Sequence, residues 1–258
     1  MKIGFFDSGI GGLTVLYQAL KQLPDHDYLY YADTVHAPYG PKPKSEVRGY
    51  VLAAVEFLIE AGAEIVVIAC NTATSIAVNE LREKYDIPII GMEPAVKPAI
   101  ERNEALNKRV LVTATPLTLV EEKLKNLIES LDNEGIVDLL PLPDLVRFAE
   151  KFDFTEETVV PYLQTSLKGL DIPEYSTVVL GCTHFPLFKQ SFRAIFGENV
   201  DLIDGSIGTV NHLQCLIVTS EGSPKGSGHI TFFRSGELVS NQEEIEDFRK
   251  ILAKMDTL

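Results

Sequence analysis

Two cysteines stand directly after apolar runs that resemble strands, in EIVVIACNTATS around Cys70 and STVVLGCTHFPL around Cys182. In an open parallel sheet, ligands bind where strands end and helices begin, so both thiols are placed for chemistry. A helix N-terminus lowers the pKa of a thiol through its dipole and its unpaired N–H groups. The pattern predicts two thiols that act as bases near neutral pH, although a single cysteine at a strand end is as often a small buried hydrophobe.

Polar residues follow each cysteine and are predicted either to cap a helix or to hold a ligand. They are Asn71, Thr72, Thr183 and His184. His184 is a candidate acid–base partner for Cys182, whereas an isolated histidine is more often structural. A metal site built from Cys70, Cys182 and His184 is disfavoured, because CxxC pairing is absent and zinc usually needs a fuller ligand set. We therefore expect no metal.

The segment FDSGIGGLT near the start has the glycine density of an anion-binding turn that opens a helix. It matches neither GxGxxG nor the Walker pattern GxxxxGK, so a nucleotide is disfavoured. Asp7 at the strand end and Ser8 after it can also serve the turn alone, and the PYG tripeptide at Pro38–Gly40 can be a plain turn.

The other cysteine and the other histidines are assigned no chemistry. Cys215 lies in the apolar run HLQCLIV and is predicted to belong to the core. Four histidines lack a partner motif and are interpreted as surface or structural residues: His26, His36, His212 and His229.

Short apolar runs alternate with amphipathic stretches, which predicts an α/β fold with mainly parallel sheets. The predicted strands are Lys2–Phe6, Tyr28–Tyr31, Ile65–Ala69, Ile87–Gly91, Arg109–Thr113, Val137–Leu140, Thr177–Gly181, Asp201–Ile203 and His229–Phe233. Helices are expected between most of them, and the clearest are Lys44–Ala61, Thr72–Tyr85, Leu117–Leu131, Thr155–Leu170 and Gln242–Ala253.

The chain contains an internal repeat. KIGFFDSGIGGLT resembles KRVLVTATPLTLV, and Asp7 precedes Cys70 by 63 positions while Thr115 precedes Cys182 by 67. This spacing predicts two pseudo-symmetric α/β lobes. Residues 1–93 and 208–258 would form the first lobe, and residues 94–207 the second.

Composition excludes several classes of partner. The net charge of −14 over 258 residues disfavours nucleic acids and anionic membranes, which need a basic surface. No apolar run approaches the roughly 18 residues that span a bilayer, and three cysteines do not form a disulfide framework. We expect a cytoplasmic protein with reduced thiols and a small-molecule ligand. A homodimer would be ordinary for a soluble enzyme.

With these motifs assembled, the sequence resembles the glutamate racemase family of the aspartate/glutamate racemase superfamily over nearly the whole chain. The motifs that carry the resemblance are FDSGIGGLTV, PYG, ACNTATS, TATPLT and GCTHFPL. The resemblance implies an active site in the cleft between two lobes. It also implies racemisation without pyridoxal phosphate, any other cofactor or metal, and a role in supplying D-glutamate for peptidoglycan.

The resemblance also implies roles for individual residues. Cys70 would remove the α-proton of D-glutamate and Cys182 that of L-glutamate, with Asp7 supporting Cys70 and with His184 and Glu150 supporting Cys182. The positions implied to hold substrate are Asp7, Ser8, Pro38, Tyr39, Gly40, Asn71, Thr72, Thr115, Thr118, Thr183 and His184. Because these motifs contain no lysine or arginine, neutral donors in a poorly hydrated cleft are expected to hold the carboxylates.

Two departures from the family pattern and two rival functions stay open. Ala32 and His36 stand where the family commonly has glycine and arginine, and the segment at Leu202–Ser206 reorders the usual Asp-Ser-Gly. The rivals are a racemase for aspartate or another acidic amino acid and a non-catalytic protein that binds an acidic metabolite.

Overall fold

The computed structural model describes residues 1–104, 106, 108–218 and 226–258. Positions 219–225 of the predicted first lobe, and positions 105 and 107 of the second, lie outside the described residues. The strands are β1 Lys2–Asp7, β2 Asp27–Ala32, β3 Ile65–Ile68, β4 Ile89–Gly91, β5 Arg109–Ala114, β6 Val137–Pro141, β7 Tyr175–Leu180, β8 Asp201–Ile203, β9 Ile230–Arg234 and β10 Glu237–Leu238.

These strands form two sheets. One has the order β10-β9-β2-β1-β3-β4 and the other the order β6-β5-β7-β8. Every pair is parallel except β9 and β10, which form an antiparallel hairpin. The predicted α/β class with mainly parallel sheets is confirmed.

Helices connect the strands and cover the sheets. They are α1 Leu13–Gln22, α2 Lys44–Glu60, α3 Asn71–Lys84, α4 Val96–Glu104, α5 Pro116–Val120, α6 Glu122–Leu131, α7 Pro143–Glu150, α8 Glu156–Ser166, α9 Lys189–Phe196, α10 Ser206–Val218 and α11 Gln242–Lys254. Short 3-10 turns lie at Ile172–Glu174, Phe185–Phe188 and Met255–Thr257. Among the described residues, no helix has both the length and the apolar character needed to cross a bilayer.

The register of each sheet brings the two cysteine motifs to strand ends. In the first sheet Phe6 pairs with Ile68, so Asp7 and Cys70 follow at the same edge. In the second sheet Thr113 pairs with Leu180, and Thr115 and Cys182 follow at the corresponding edge. One continuous core cluster contains residues of both sheets, including Phe5 and Leu111, both fully buried. Burial of each such side chain contributes about 1.5–3 kcal/mol.

All nine predicted strands are present, each within two residues of its predicted limits. The hairpin strand β10 was not predicted. The single helix expected over Leu117–Leu131 is wrong, because Glu121 has an extended backbone between α5 and α6. Its carboxylate lies 2.6 Å from Lys44 Nζ, a contact across 77 residues of sequence. Such a tertiary contact overrides the local apolar pattern.

The prediction that Cys215 belongs to the core is also wrong, since this thiol is exposed. Helix α10 buries Thr209, Val210 and Leu213, which lie three to four residues apart on one face. Cys215 is two residues beyond Leu213, about 200° around the helix, and therefore points away from that face.

Candidate active site

Cys70 lies between β3 and α3 and caps the helix. Its sulfur accepts the Ala73 N–H at 3.5 Å and lies 3.7 Å from Ser8 Oγ. The residue is 6% exposed. The local sequence favours this arrangement, because the apolar strand IVVI ends in a buried sheet and the following NTATS begins the helix.

The expectation that the helix N-terminus lowers the pKa of this thiol is wrong for Cys70. Burial, followed by the nearby Asp7 carboxylate, raises the pKa of Cys70 to about 12, while the Ala73 N–H and Ser8 oppose the rise. Desolvation of a buried thiolate outweighs one backbone N–H at 3.5 Å. Cys70 is therefore a neutral thiol near neutral pH.

Asp7 is fully buried beneath the glycine turn. One carboxylate oxygen accepts the Gly9 N–H at 3.0 Å, and the other accepts the Thr183 hydroxyl at 3.0 Å. Burial raises the pKa of Asp7 to about 6, although the charge of His184 and these two hydrogen bonds act in the opposite direction. Asp7 thus links the turn after β1 to the Cys182 segment of the other sheet.

Cys182 has a different neighbour, the side chain of His184. Its sulfur lies 3.7 Å from His184 Nδ1, and His184 Nε2 lies 2.6 Å from Glu150 Oε1. Burial lowers the pKa of His184, but hydrogen bonds to Cys182 and Glu150 and the charges of both outweigh it and raise this pKa well above its usual value. A protonated His184 can stabilise negative charge on the sulfur of Cys182.

The similarity of the Cys182 segment to the Cys70 segment predicts an α-helix directly after Cys182. This prediction is wrong. A 3-10 turn at Phe185–Phe188 precedes α9, which starts only at Lys189. The second thiol therefore has His184 as its local polar partner in place of a helix N-terminus.

The glycine turn uses two of its N–H groups on the protein's own carboxylates. Gly9 N–H donates to Asp7, and Ile10 N–H donates to Glu150 at 2.8 Å. A Cβ atom at Gly9 would collide with Glu150, and one at Gly11 would collide with His184. The turn therefore binds the carboxylates of Asp7 and Glu150. Its glycines also let Glu150 and His184 approach the backbone closely.

Three threonine hydroxyls join the two sheets on the other side of the site. Thr72 Oγ1 lies 3.0 Å from Thr115 Oγ1 and 2.9 Å from Thr118 Oγ1, and the latter two lie 3.0 Å apart. Thr115 also caps α5, while Thr72 belongs to the first turn of α3. All three side chains are buried.

These elements enclose a cavity, hereafter the cysteine cavity, of about 20 Å³. Ten predicted site residues line it: Ser8, Pro38, Tyr39, Gly40, Cys70, Asn71, Thr72, Thr115, Cys182 and His184. Of the other four, Thr118, Glu150 and Thr183 contact lining residues through Thr72 and His184, and Asp7 accepts the Thr183 hydroxyl. This volume holds about one water molecule, so the cavity is narrow.

A racemase family model matches this architecture. The model described as Asp/Glu/Hydantoin racemase matches residues 14–213, well over half of the chain. The chain belongs to the Asp/Glu/hydantoin racemase family. Glutamate racemase 2 of Bacillus subtilis is 53% identical over 99% of this chain and 97% of its own length. The glutamate racemase of Halothermothrix orenii is 52% identical over 99% of this chain and its entire length.

A solved structure of the same family agrees in fold. The Escherichia coli glutamate racemase, in complex with L-glutamate and the activator UDP-MurNAc-ala, has a TM-score of 0.82 and 29% identity. The match covers 98% of this chain and 94% of that one. The predicted resemblance to glutamate racemases is confirmed, and the chain is a racemase.

Sequence reasoning missed four residues that line the cysteine cavity of this racemase: Pro41, Pro116, Pro143 and Val146. The last two belong to α7, where Pro143, Val146 and Glu150 recur at helical spacing and share a face. This helical spacing, counted back from Glu150, is the sequence signal that could have identified Pro143 and Val146. Among the described residues, no group of three or more His, Cys, Asp or Glu side chains is arranged to hold a metal ion.

Proposed function

We propose that the chain interconverts L-glutamate and D-glutamate, with Cys70 and Cys182 transferring protons on opposite faces of the substrate. The observation that supports this most directly is that the two thiols follow equivalent strands of separate sheets and line one cavity. Glutamate is the proposed substrate because the relatives are glutamate racemases and the Escherichia coli neighbour holds L-glutamate.

In the D-to-L direction, Cys70 as a thiolate takes the α-proton and Cys182 as a thiol gives its proton to the opposite face. The reverse reaction exchanges these roles, so each turnover moves one proton on and one proton off the substrate. Cys70 must lose its proton before it can act. The α-ammonium group of glutamate brings a positive charge into the cavity, which offsets the effects of burial and Asp7 on this thiol.

The carbanion that forms at Cα needs stabilisation as it develops. The hydroxyls of Thr72 and Thr115 line the cavity, with Thr118 behind them, and α3 begins at its wall. The described residues that line the cavity include neither lysine nor arginine. Neutral donors in a site closed to water are therefore proposed to hold the substrate carboxylates, as the sequence predicted.

Asp7, His184 and Glu150 are proposed to act on the thiols, and Ser8, Pro38–Gly40, Asn71 and Thr183 to position substrate. The reaction is proposed to need no cofactor. We assign the enzyme to the cytoplasmic supply of D-glutamate for peptidoglycan and retain the homodimer and the lobe limits 1–93 plus 208–258 and 94–207 as proposals. The lobe limits are supported by the membership of the two sheets.

The deciding experiment measures deuterium incorporation at Cα in heavy water without added cofactor. L-glutamate and L-aspartate are incubated separately with purified protein. Incorporation with growth of the D-enantiomer from glutamate alone supports the proposal. Incorporation from aspartate keeps the mechanism and changes the substrate. If folded protein with reduced thiols exchanges neither, the two-thiol mechanism is wrong and a binding function becomes the better interpretation.

A further inference from the structure

The hairpin between β9 and β10 contains an unusual turn residue. Ser235 has a φ of +46° and Gly236 a φ of +91°. A two-residue hairpin turn with positive φ at both positions favours asparagine or glycine first, because serine gains little in this region. A residue that opposes its local backbone preference points to another constraint at that position.

The hydroxyl of Ser235 makes contacts that neither glycine nor alanine can make. It donates to Asp33 Oδ1 at 3.0 Å and accepts the Val35 N–H at 3.1 Å. The Ser235 N–H also donates to the carbonyl of Ala32 at 2.9 Å. The turn is thus hydrogen-bonded to the first residues of the segment that follows β2, about 200 positions earlier in the chain.

Asp33 transmits this contact to the cysteine cavity. Its carboxylate is 2% exposed and accepts the Tyr39 hydroxyl at 2.6 Å. It also lies 2.8 Å from Nδ1 of His36, whose ring stacks on Tyr50 with centroids 3.8 Å apart. Tyr39 lines the cysteine cavity, between Pro38 and Gly40. His36, a departure from the family pattern, therefore belongs to the same network.

We propose that Ser235 is a positioning residue for the racemase site, acting through Asp33 to hold the segment 33–40 against the cysteine cavity. The segment contributes cavity wall but lies in no helix or strand, so side-chain hydrogen bonds and the packing of Tyr39 hold it in position. Gly40 packs closely on Thr115 of the other sheet, and a Cβ there would lie 2.9 Å from Thr115 Cβ. A shift of this segment would therefore change the space available to a substrate.

The inference rests on the proposed function and is tested with Ser235→Gly and Ser235→Ala. Glycine removes the hydroxyl and suits the left-handed backbone, whereas alanine removes the hydroxyl and keeps the unfavourable Cβ. Both variants should raise KM for glutamate roughly tenfold, since each loses a hydrogen bond to a buried carboxylate. The Tm of the glycine variant should stay within about 3 °C of the parent.

Ser227→Ala is the matched control. Ser227 donates to Asp27 at 2.9 Å, and this serine–aspartate contact joins the same two chain segments at the opposite end of β2. The control should leave KM unchanged. An elevated KM in Ser235→Ala alone would assign the effect to backbone strain and overturn the proposal, as would an unchanged KM in both Ser235 variants of an active parent.

Amide hydrogen exchange separates this inference from the proposed function. Ser235→Gly should accelerate exchange in residues 33–40, above all at Val35, whether or not glutamate is turned over. Unchanged exchange in that segment would contradict the positioning role. An inactive parent protein with accelerated exchange in the variant would instead contradict the proposed substrate and keep the positioning role.

Discussion

The two cysteines occupy equivalent strand ends, but their surroundings differ. Cys70 caps an α-helix and lies near the carboxyl group of Asp7, which contributes to its raised pKa. Cys182 precedes a 3-10 turn and lies beside His184, which is paired with Glu150. The internal repeat thus duplicates the cysteines and leaves their charged partners unlike. Cys70 is held as a neutral thiol, and Cys182 has a cationic partner.

The largest expected effect is the loss of either carrier. Cys70→Ala and Cys182→Ala should each lower racemisation by at least about 10³-fold, because each removes the only proposed acid–base group on one face. Turnover measured by the growth of the opposite enantiomer tests this. Cys215→Ala is the matched control, since that thiol is exposed and does not line the cysteine cavity. A near-normal rate in either cavity variant contradicts the two-thiol mechanism.

Asp7, the acidic neighbour of Cys70, should make the free energy of unfolding depend on pH. Asp7 has a folded pKa of about 6 against a reference of 3.8, so the native state binds its proton more tightly than the unfolded state does. The stability from this group is present below pH 3.8 and falls as pH rises to 6, by about 3 kcal/mol in total. Asp7→Asn should therefore lose this dependence. Unfolding free energies at about pH 4 and pH 7 measure it, and an equal parent-to-variant difference at both pH values would contradict the assignment.

Replacing His184 should slow the proton transfer that we assign to Cys182, on one face of the substrate. His184→Asn should lower kcat/KM by about 10²-fold, near 2.7 kcal/mol. The fall must be equal in both directions, because enantiomers have equal free energies and the equilibrium constant stays at unity. Substrates deuterated at Cα show which of the two proton transfers is slowed. The isotope effect should rise for L-glutamate, whose α-proton Cys182 is proposed to remove, and a rise for D-glutamate alone would reverse the assignment of faces.

The smallest effect is expected from Glu150→Gln. Glutamine keeps a hydrogen-bonding group near His184 and the Ile10 N–H but removes the charge that helps to raise the pKa of His184. We expect roughly a tenfold fall in kcat, with the alkaline limb of the pH profile moving to lower pH. A profile that does not move would show that Glu150 is needed for packing only.

Much of this site could be predicted from the sequence, because its chemistry follows strand ends. Asp7 ends a parallel strand and Cys70, Thr115 and Cys182 follow such strands, and parallel register places these residues at one edge of their sheet. The long-range contacts could not be predicted in this way. The interruption at Glu121 coincides with a contact to Lys44, 77 positions away in sequence, and the orientation of Cys215 depends on which face of α10 is covered.

The pKa of Cys70 is a second property that could not be predicted from the local sequence. The helix N-terminus was correctly predicted there, yet the sign of its consequence was wrong. Local sequence indicates the N–H donor, whereas the pKa is raised by burial and by the Asp7 carboxylate, 63 positions away in the chain. Desolvation is a property of the assembled fold and has no signature in a short motif.

The small volume of the cysteine cavity has a consequence for timing. A space of about 20 Å³ is much smaller than an amino acid, so we expect the walls to separate when substrate enters and when product leaves. Where that motion limits turnover, kcat will fall as the viscosity of the solvent rises. A compound enclosed in the shut cleft would then owe its residence time to the opening rate of the protein as well as to its own contacts.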